Sequence, residues 1–499
     1  MAEKRIGGDL LENLGEKRPD IRLEIPEAAA FILNKLEEDG QEAFVVGGCV
    51  RDAMLGRKPK DWDITTSARP EQVKGLFRRT IDTGIQHGTV TVMIGSEGYE
   101  VTTYRMDGEY EDHRHPKEVI FTPDLVEDLK RRDFTINAMA YNETSGLIDE
   151  FDGLGDLERR CIRCVGSPRE RFEEDALRML RGIRFAGQLQ FHIEEKTKEA
   201  IGEIAPTLVN VSAERIRTEL TKLLCSKGSD RLMLAEETGL MKYFLPEFSV
   251  MLKTEQNNPH HCFDVGHHSL AAVSHIQELY EEHKDAFSYT GWTEEKILTI
   301  LVYGALLHDV AKPDCRTVDE EGIHHFHGHP EAGAKKAKQI LRRLKFDNDT
   351  ISMVGRMILY HDRRYEQCYD KGAYCAKGKR GMRRLMNQIG EDAMPFLFLL
   401  QKADLLAQSD YIREEKLAKL STAVKAWKDV LASNEAVKVS DLSIGGRDLI
   451  RNGIAPGPGL GEILHYLLEQ VLEEPALNEP GKLLSMALSI PGSAAAQHR

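Results

Sequence analysis

The sequence predicts an α+β chain, a mixed α/β head followed by a long all-helical neck, body and tail. Strand-like runs rich in β-branched residues, "QEAFVV", "DWDITT", "GTVTVMI" and "YEVTTYR", all begin before Met106. After "GLIDEFDG" such runs nearly vanish, and from about Pro168 onward the pattern is predominantly helical. The length, 499 residues, suits about three or four domains of ordinary size.

Residues 1–21 read as a polar leader and 22–165 as the head. In the head a helix starts after Pro26, with Ala30, Leu33 and Leu36 as its apolar positions. "QEAFVVGG" is a short buried strand stopped by glycine, and the other three runs supply further strands. "RMDGEYEDHRHPKEVIFTPDL" is polar and turn-rich, a long loop of the kind that tends to carry function. "DLVEDLKRRDFTINAMAY" resumes as a helix, and "GLIDEFDG" adds a strand and turn. Residues 166–250 form a helical neck, 251–420 a helical domain and 421–499 a helical tail, whose end "SIPGSAAAQHR" reads as frayed.

The net charge of −14 argues against blanket coating of nucleic acid but permits a local basic face. Arg356 to Arg384 is such a window, with nine Lys/Arg against three Asp/Glu, and its run "CAKGKRGMRR" can meet phosphate or form a solvated face. No apolar run approaches the roughly 18 residues that span a bilayer, so no membrane role is expected. The N-terminus lacks the apolar core of a signal peptide, and eight scattered cysteines point to a reducing compartment, the cytoplasm. Cys161 and Cys164 make an isolated CxxC with no second pair, a weak basis for a zinc or redox site.

The chemistry starts at "GGCVRDAMLGRKPKDWDIT". On a strand, residues i and i+2 share a face, so Asp61 and Asp63 point one way and Trp62 the other. Carboxylates this close repel unless a cation lies between them. Oxygen ligands of this kind suit Mg²⁺, which bridges carboxylates and substrate phosphates in phosphoryl transfer. Glu100, at the start of "YEVTTYR", is a third acid expected beside them. Gly47 and Gly48 let backbone N–H groups approach a triphosphate, and Arg51 can grip it with a charge-assisted fork.

This stretch resembles the first signature of the class II tRNA nucleotidyltransferase and bacterial poly(A) polymerase family. "VTTYR", "DLKRRDFTINAMAY", "RFEEDALRMLRGIRF" and "SAERIRTELTKLL" follow in the family's order, so the likeness covers roughly Pro26 to Leu224. The resemblance implies a nucleotidyltransferase-type head that adds nucleotides to RNA 3′ ends without a nucleic acid template. It implies metal binding by Asp61 and Asp63, and nucleotide contacts by Gly48, Arg51, Arg132, Arg181 and Arg184. Asp133 and Asn137 fit better as structural anchors.

Asp175, Arg178, Arg181 and Arg184 recur every three residues, one slowly drifting helical stripe. Asp offers only acceptors and Arg only donors, so a neighbouring pair can imitate the Watson–Crick edge of a partner base. Cytosine and adenine each present an amino donor beside a ring acceptor; uracil and guanine do not match. The resemblance implies this role for Asp175 and Arg178. An ordinary ion-paired helix face is the plain alternative for the four residues taken alone.

A second constellation lies further on: His268 in "DVGHHSLAAV", His308 and Asp309 in "ALLHDVAKP", His329 in "FHGHPEAG", His361 in "LYHDRR" and Asp404 in "KADLLAQSD". The order resembles an HD-superfamily phosphohydrolase domain over residues 251–420. Mixed nitrogen and carboxylate ligands at His268, His308, Asp309 and Asp404 suit Mn, Fe, Ni or Zn. His268 fits the spacing from Asp264 better than His267 does.

The expected function is addition of CCA to the 3′ end of tRNA from CTP and ATP, using Mg²⁺ in the head, with RNA rather than DNA as partner. Phosphohydrolase activity at the second site is a further expectation. On the same scaffold a poly(A) polymerase or a CC-adding enzyme is the alternative. Poly(A) polymerases often carry a strongly basic tail, whereas this chain ends in "SAAAQHR"; CC-adding enzymes lack a loop that "RMDGEYEDHRHP" supplies here. An HD phosphohydrolase with a merely RNA-binding head would need a damaged DxD, and the DxD is intact.

Overall fold

The computed structural model describes residues 21–107, 119–363, 369–370, 373–374 and 376–490. The leader, the centre of the loop after Met106, the start of "CAKGKRGMRR" and the frayed end lie outside the described residues. The chain divides into two compact units, residues 1–249 and 250–499. No helix among the described residues is long and apolar enough to cross a membrane.

In the first unit, α1 (Glu27–Glu38) buries Ala29, Ile32, Leu33 and Leu36, an i, i+3, i+4, i+7 face. β1 (Ala43–Val46) is buried at all four positions, as a central strand covered on both faces must be. Gly47 then turns the chain into α2 (Gly48–Met54) with φ of +82°. A Cβ there would also stand 3.1 Å from Nη1 of Arg132, so only glycine serves both demands. β2 (Ile64–Thr66), α3 (Pro70–Leu76), β3 (Thr80–Gly84), β4 (Thr89–Ile94) and β5 (Glu97–Thr103) follow. β6 (Arg105–Asp107) and β7 (Val119–Phe121) pair antiparallel, so the ends of the expected loop form a β-ribbon instead. After α4 (Leu125–Lys130), β8 (Ala140–Asn142) and β9 (Gly146–Ile148) complete a seven-stranded sheet of order β3-β4-β5-β2-β1-β8-β9. It is mixed: β2 and β5 run parallel and the other neighbours antiparallel. Phe44, Val46, Tyr104, Leu129, Ala138, Ala140 and Val165 form a core cluster.

Two expectations are corrected here. Asp61 and Asp63 are not within a strand; they immediately precede β2. The ladder nevertheless reaches them, because the Val46 N–H donates to the Asp63 carbonyl. The helix expected over "DLVEDLKRRDFTINAMAY" ends at Lys130, and the last part of that stretch enters β8, while β3, whose "TIDTG" has no alternating apolar pattern, was not expected.

The rest of the first unit is helical apart from a parallel pair of two-residue strands, Cys161–Ile162 with His192–Ile193; its helices include α5 (Gly153–Glu158), α6 (Pro168–Glu174), α7 (Leu177–Leu189), α8 (Glu195–Ile204) and α9 (Ala213–Leu224). A Cβ on Gly187 would fall 2.5 Å from Leu223, so glycine lets α7 approach α9 closely. The Asp175 to Arg184 stripe is a third correction. Asp175 lies between α6 and α7 with extended dihedrals, and only the three arginines ride on α7.

The second unit is built of helices, with short two-stranded ribbons as at Thr317–Val318 with His324–His325. The helices Glu294–Leu307 and Met394–Ala407 each bury ten residues, as befits the centre of a bundle. Towards the C-terminus, Leu449, Leu467, Val471, Leu483 and Ala487 belong to a separate core cluster.

Candidate active site and metal centre

Three acids meet where β2 and β5 pair in the middle of the sheet, at the start of β2. The parallel ladder of β2 and β5 pairs Ile64 with Val101, so Asp63 and Glu100 stand level one residue earlier. Glu100 sits inside β5, three residues after it begins. Asp61, Asp63 and Glu100 are exposed while Trp62 is half-buried, the alternation expected of a strand edge. The Asp63 carboxyl is held above its ordinary range. Surrounding protein displaces water from it, and Glu100 and Asp61 repel its charge, partly offset by Arg132. The cluster therefore has a deficit of positive charge that a divalent cation would fill.

Three of the nucleotide-contact candidates, Arg51, Arg132 and Arg181, lie in or are tied to the segment Arg131 to Asn137. Arg132 pairs with the buried Asp128 at 3.3 Å and leaves its Nε buried without a partner. Gly48 opens α2. Arg51, buried, donates to Asn137 Oδ1 at 2.6 Å and to Asp52 at 2.9 Å. Asn137 Nδ2 donates to Asp133 Oδ1 at 3.1 Å, and Arg181 closes on Asp133 Oδ2 at 2.6 Å. Burial pushes the Asp133 carboxyl up, but Arg181, the Asn137 amide and Arg178 outweigh it and hold the group well below the usual range. Arg184 is buried against Glu219 of α9 and lies 3.9 Å over the Phe185 ring, with Arg51 and Arg181 at 5.0 and 5.5 Å.

The base-reading candidates are each held by other partners. Arg178 donates to Glu174 Oε2 at 2.5 Å, to the Arg171 carbonyl at 3.2 Å and to the Arg131 carbonyl at 2.9 Å. Asp175 receives both prongs of Arg215, at 3.2 and 2.7 Å, and the Leu177 N–H at 3.1 Å. Sequence reasoning passed over Arg215 and Glu219. Their i, i+4 spacing within "SAERIRTEL" was the available signal.

In the second unit all six expected residues converge, and each sits at or near a helix end. His268 opens one helix, His308 follows another, His329 begins a third and His361 follows a fourth. Each Nδ1 faces a main-chain carbonyl: His268 to Ala407 at 3.3 Å, His308 to Ala305 at 2.8 Å, His329 to Phe326 and His361 to Ile358 both at 2.7 Å. A carbonyl only accepts, so the proton lies on Nδ1 and the Nε2 lone pair points inward. Nε2 of His268 and His308 then face each other at 3.3 Å, and those of His329 and His361 at 3.2 Å. Two lone pairs at such distances repel unless a proton or a metal cation lies between them.

Asp309 lies between the two pairs. Oδ2 is 3.1 Å from His308, and Oδ1 is 3.4 and 3.6 Å from His329 and His361. Neither buried oxygen makes a well-aligned hydrogen bond, although Lys312 Nζ approaches Oδ2 at 2.7 Å. Asp404 stands 2.9 Å from His268. His267 is exposed and closes on Asp264 at 2.6 Å, while His268 is buried in the cluster. Lys312, one turn beyond Asp309, was absent from the sequence expectation, though "HDVAK" spaces it suitably.

Two other sequence features have structural partners. In "GKRGMRR", Arg380 and Arg384 both pair with Glu473, while buried Arg383 pairs with Glu435 at 2.5 Å and donates to the Leu472 carbonyl at 2.8 Å. Cys161 and Cys164 are buried, and burial pushes both thiols up, away from the thiolate that zinc or redox chemistry needs.

Comparison with known proteins places this geometry. Residues 43–163 match the poly A polymerase head domain, and residues 190–252 a model for an RNA- and SrmB-binding site of polymerase A. Residues 328–487 match a model for tRNA nucleotidyltransferase domain 2. A CCA-adding enzyme of Levilactobacillus brevis is 34% identical over 460 residues, 92% of this chain and 96% of that one. The CCA-adding enzyme of Lactobacillus delbrueckii subsp. bulgaricus is 57% identical over 198 residues, 40% of this chain. Such high-identity matches span about half the length of the relatives concerned. The crystal structure of the Bacillus stearothermophilus CCA-adding enzyme in complex with CTP superposes with a TM-score of 0.65 at 28% identity, covering 92% of this chain and 95% of that one.

Proposed function

Because the chain belongs to the family of CCA-adding enzymes, we propose that it completes the 3′ end of tRNA by adding C, C and A from CTP and ATP. The observation that carries this reading is the meeting of Asp61, Asp63 and Glu100 beside Arg132, with Asp63 held above its ordinary range by burial and by the charges of Glu100 and Asp61. That all-oxygen set fits Mg²⁺. When bound, the ion supplies positive charge to the triphosphate and to the terminal hydroxyl of the RNA. The chain's own part is positioning. Gly47 and Gly48 let the backbone approach the phosphates, Arg51 and Arg132 supply cationic groups beside them, and Asp175 with Arg178 reads the base. Residues 22–165 are then the catalytic head and 166–250 the neck that presents the reading groups. Cys49, Cys161, Cys164, Cys262 and Cys315 form no disulfide, which accords with work in a reducing compartment, the cytoplasm.

The test is purified protein, tRNA lacking its terminal residues, and each labelled triphosphate alone and together. Ordered addition of C, C and A supports the reading. Long A tails would favour a poly(A) polymerase, and arrest after CC a CC-adding enzyme.

A second site is proposed in residues 251–420, followed by the helical tail 421–499. The inward lone pairs of His268 and His308, with Asp309 and Asp404, fit one divalent transition metal. His329 and His361 offer a second pair on the other oxygen of Asp309. When bound, such metal supplies Lewis acidity suited to phosphoester hydrolysis. Elemental analysis of the purified chain, with wild type against His308→Ala, tests metal binding; no loss of metal in the variant would refute it.

A further inference from the structure

We propose that Arg215 is a positioning residue for base selection: its fork on Asp175 keeps that carboxylate from closing on Arg178 and aims it at the base. The inference rests on the reading of Asp175 and Arg178 given above.

An acceptor and a donor that together imitate a base edge face an inherent problem. Three residues apart and oppositely charged, they attract each other, and a closed Asp–Arg pair has nothing left to read with. Here each is drawn toward a different partner. Arg178 is held by Glu174 and by the carbonyls of Arg171 and Arg131. Asp175 is held by both prongs of Arg215 and by the Leu177 N–H. A carboxylate has about four acceptor positions. The fork takes two and Leu177 one, which leaves about one, the number that the amino group of cytosine or adenine needs. Uracil and guanine would present a carbonyl to that same position, and two acceptors repel.

The register of α9 reinforces the arrangement. Arg215 meets an acid, while Glu219, one turn on, meets Arg184 and lies 3.9 Å from Arg181. A slip of one turn would set Glu219 against Asp175, acid on acid, so the opposed polarities admit one alignment. Arg215 touches no substrate in this account; it acts through Asp175.

The experiment compares wild type, Arg215→Gln, Arg215→Lys, Asp175→Ala and the double variant R215Q/D175A, all as the full chain. Single-turnover kcat/KM is measured for CTP, ATP, UTP and GTP on tRNA lacking its terminal residues, alongside tRNA affinity and thermal melting. R215Q should lower the preference for CTP over UTP by about ten- to a hundredfold, with tRNA affinity and melting close to wild type. R215K, a point donor without the fork, should lie between. The double variant should discriminate no worse than D175A. A strut would change rate or melting but not the ratio between triphosphates, so a wild-type ratio in R215Q while D175A loses it would overturn the proposal. If R215Q does not fold, a wild-type ratio in R215K overturns it equally. A wild-type ratio in D175A would instead sink the base-reading assignment itself.

Discussion

Replacing Asp133 by Ala should cost the first unit about 4 kcal/mol. The carboxylate accepts from Arg181 Nε at 2.8 Å and Nη2 at 2.6 Å, from Asn137 Nδ2 at 3.1 Å and from the Phe134 N–H at 2.8 Å. Breaking a buried pair by removing one partner costs about 3–5 kcal/mol. The Arg181 side chain keeps 34% exposure and can rehydrate in part, so the lower figure, about 3 kcal/mol, applies. Stranding the Phe134 N–H and the Asn137 amide adds about 1 kcal/mol. The two-unit chain need not unfold in one step, so the assay is urea denaturation followed by hydrogen exchange at residues 125–142. Nucleotide addition should fall as well, because Asn137 also holds Arg51 at 2.6 Å. The pH sign follows from the depressed folded value of Asp133, caused by Arg181, Asn137 and Arg178 against burial. Its contribution is present above the unfolded value of about 3.9 and is lost as pH falls below it, so the variant should show a flatter acid limb. A loss under about 1 kcal/mol would refute this account of the junction.

Asp61→Ala or Asp63→Ala should abolish addition while leaving tRNA binding largely intact in a gel-shift assay; near wild-type addition by either would sink the assignment. Asp63→Asn should in addition melt higher than wild type, because burial and the acids Glu100 and Asp61 disfavour its charge in the folded chain; a lower melting temperature would contradict that. Asp309→Asn should remove bound metal and any phosphoesterase activity yet leave CCA addition nearly unchanged, and a collapse of addition in a folded variant would show that the two sites are coupled. Because CC-adding enzymes lack the loop that residues 105–116 supply, deleting part of it should leave tRNAs ending in CC, read by sequencing their 3′ ends; completed CCA would show that the loop is not needed to add A.

The sequence by itself determined what local chemistry can encode. The glycine turn and the spaced acids in the first half specified a mixed head with a candidate acid cluster, and the ordered motifs carried the resemblance on which its proposed reaction rests. His268, His308, Asp309 and Asp404 were legible as candidate metal donors. Signals of this kind are carried by spacing along one strand or one helix turn. Tertiary structure alone decided which groups meet. Asp175 left the helix where period-three spacing placed it, because the chain breaks between α6 and α7. Its partner, Arg215, lies 40 residues away. Arg380, Arg383 and Arg384 found Glu473 and Glu435. Asp309 came to face two imidazole pairs at once, through its two oxygens. Such pairings are fixed when apolar faces of distant helices pack in one register, and a charge pattern read along the chain carries no record of which faces will meet.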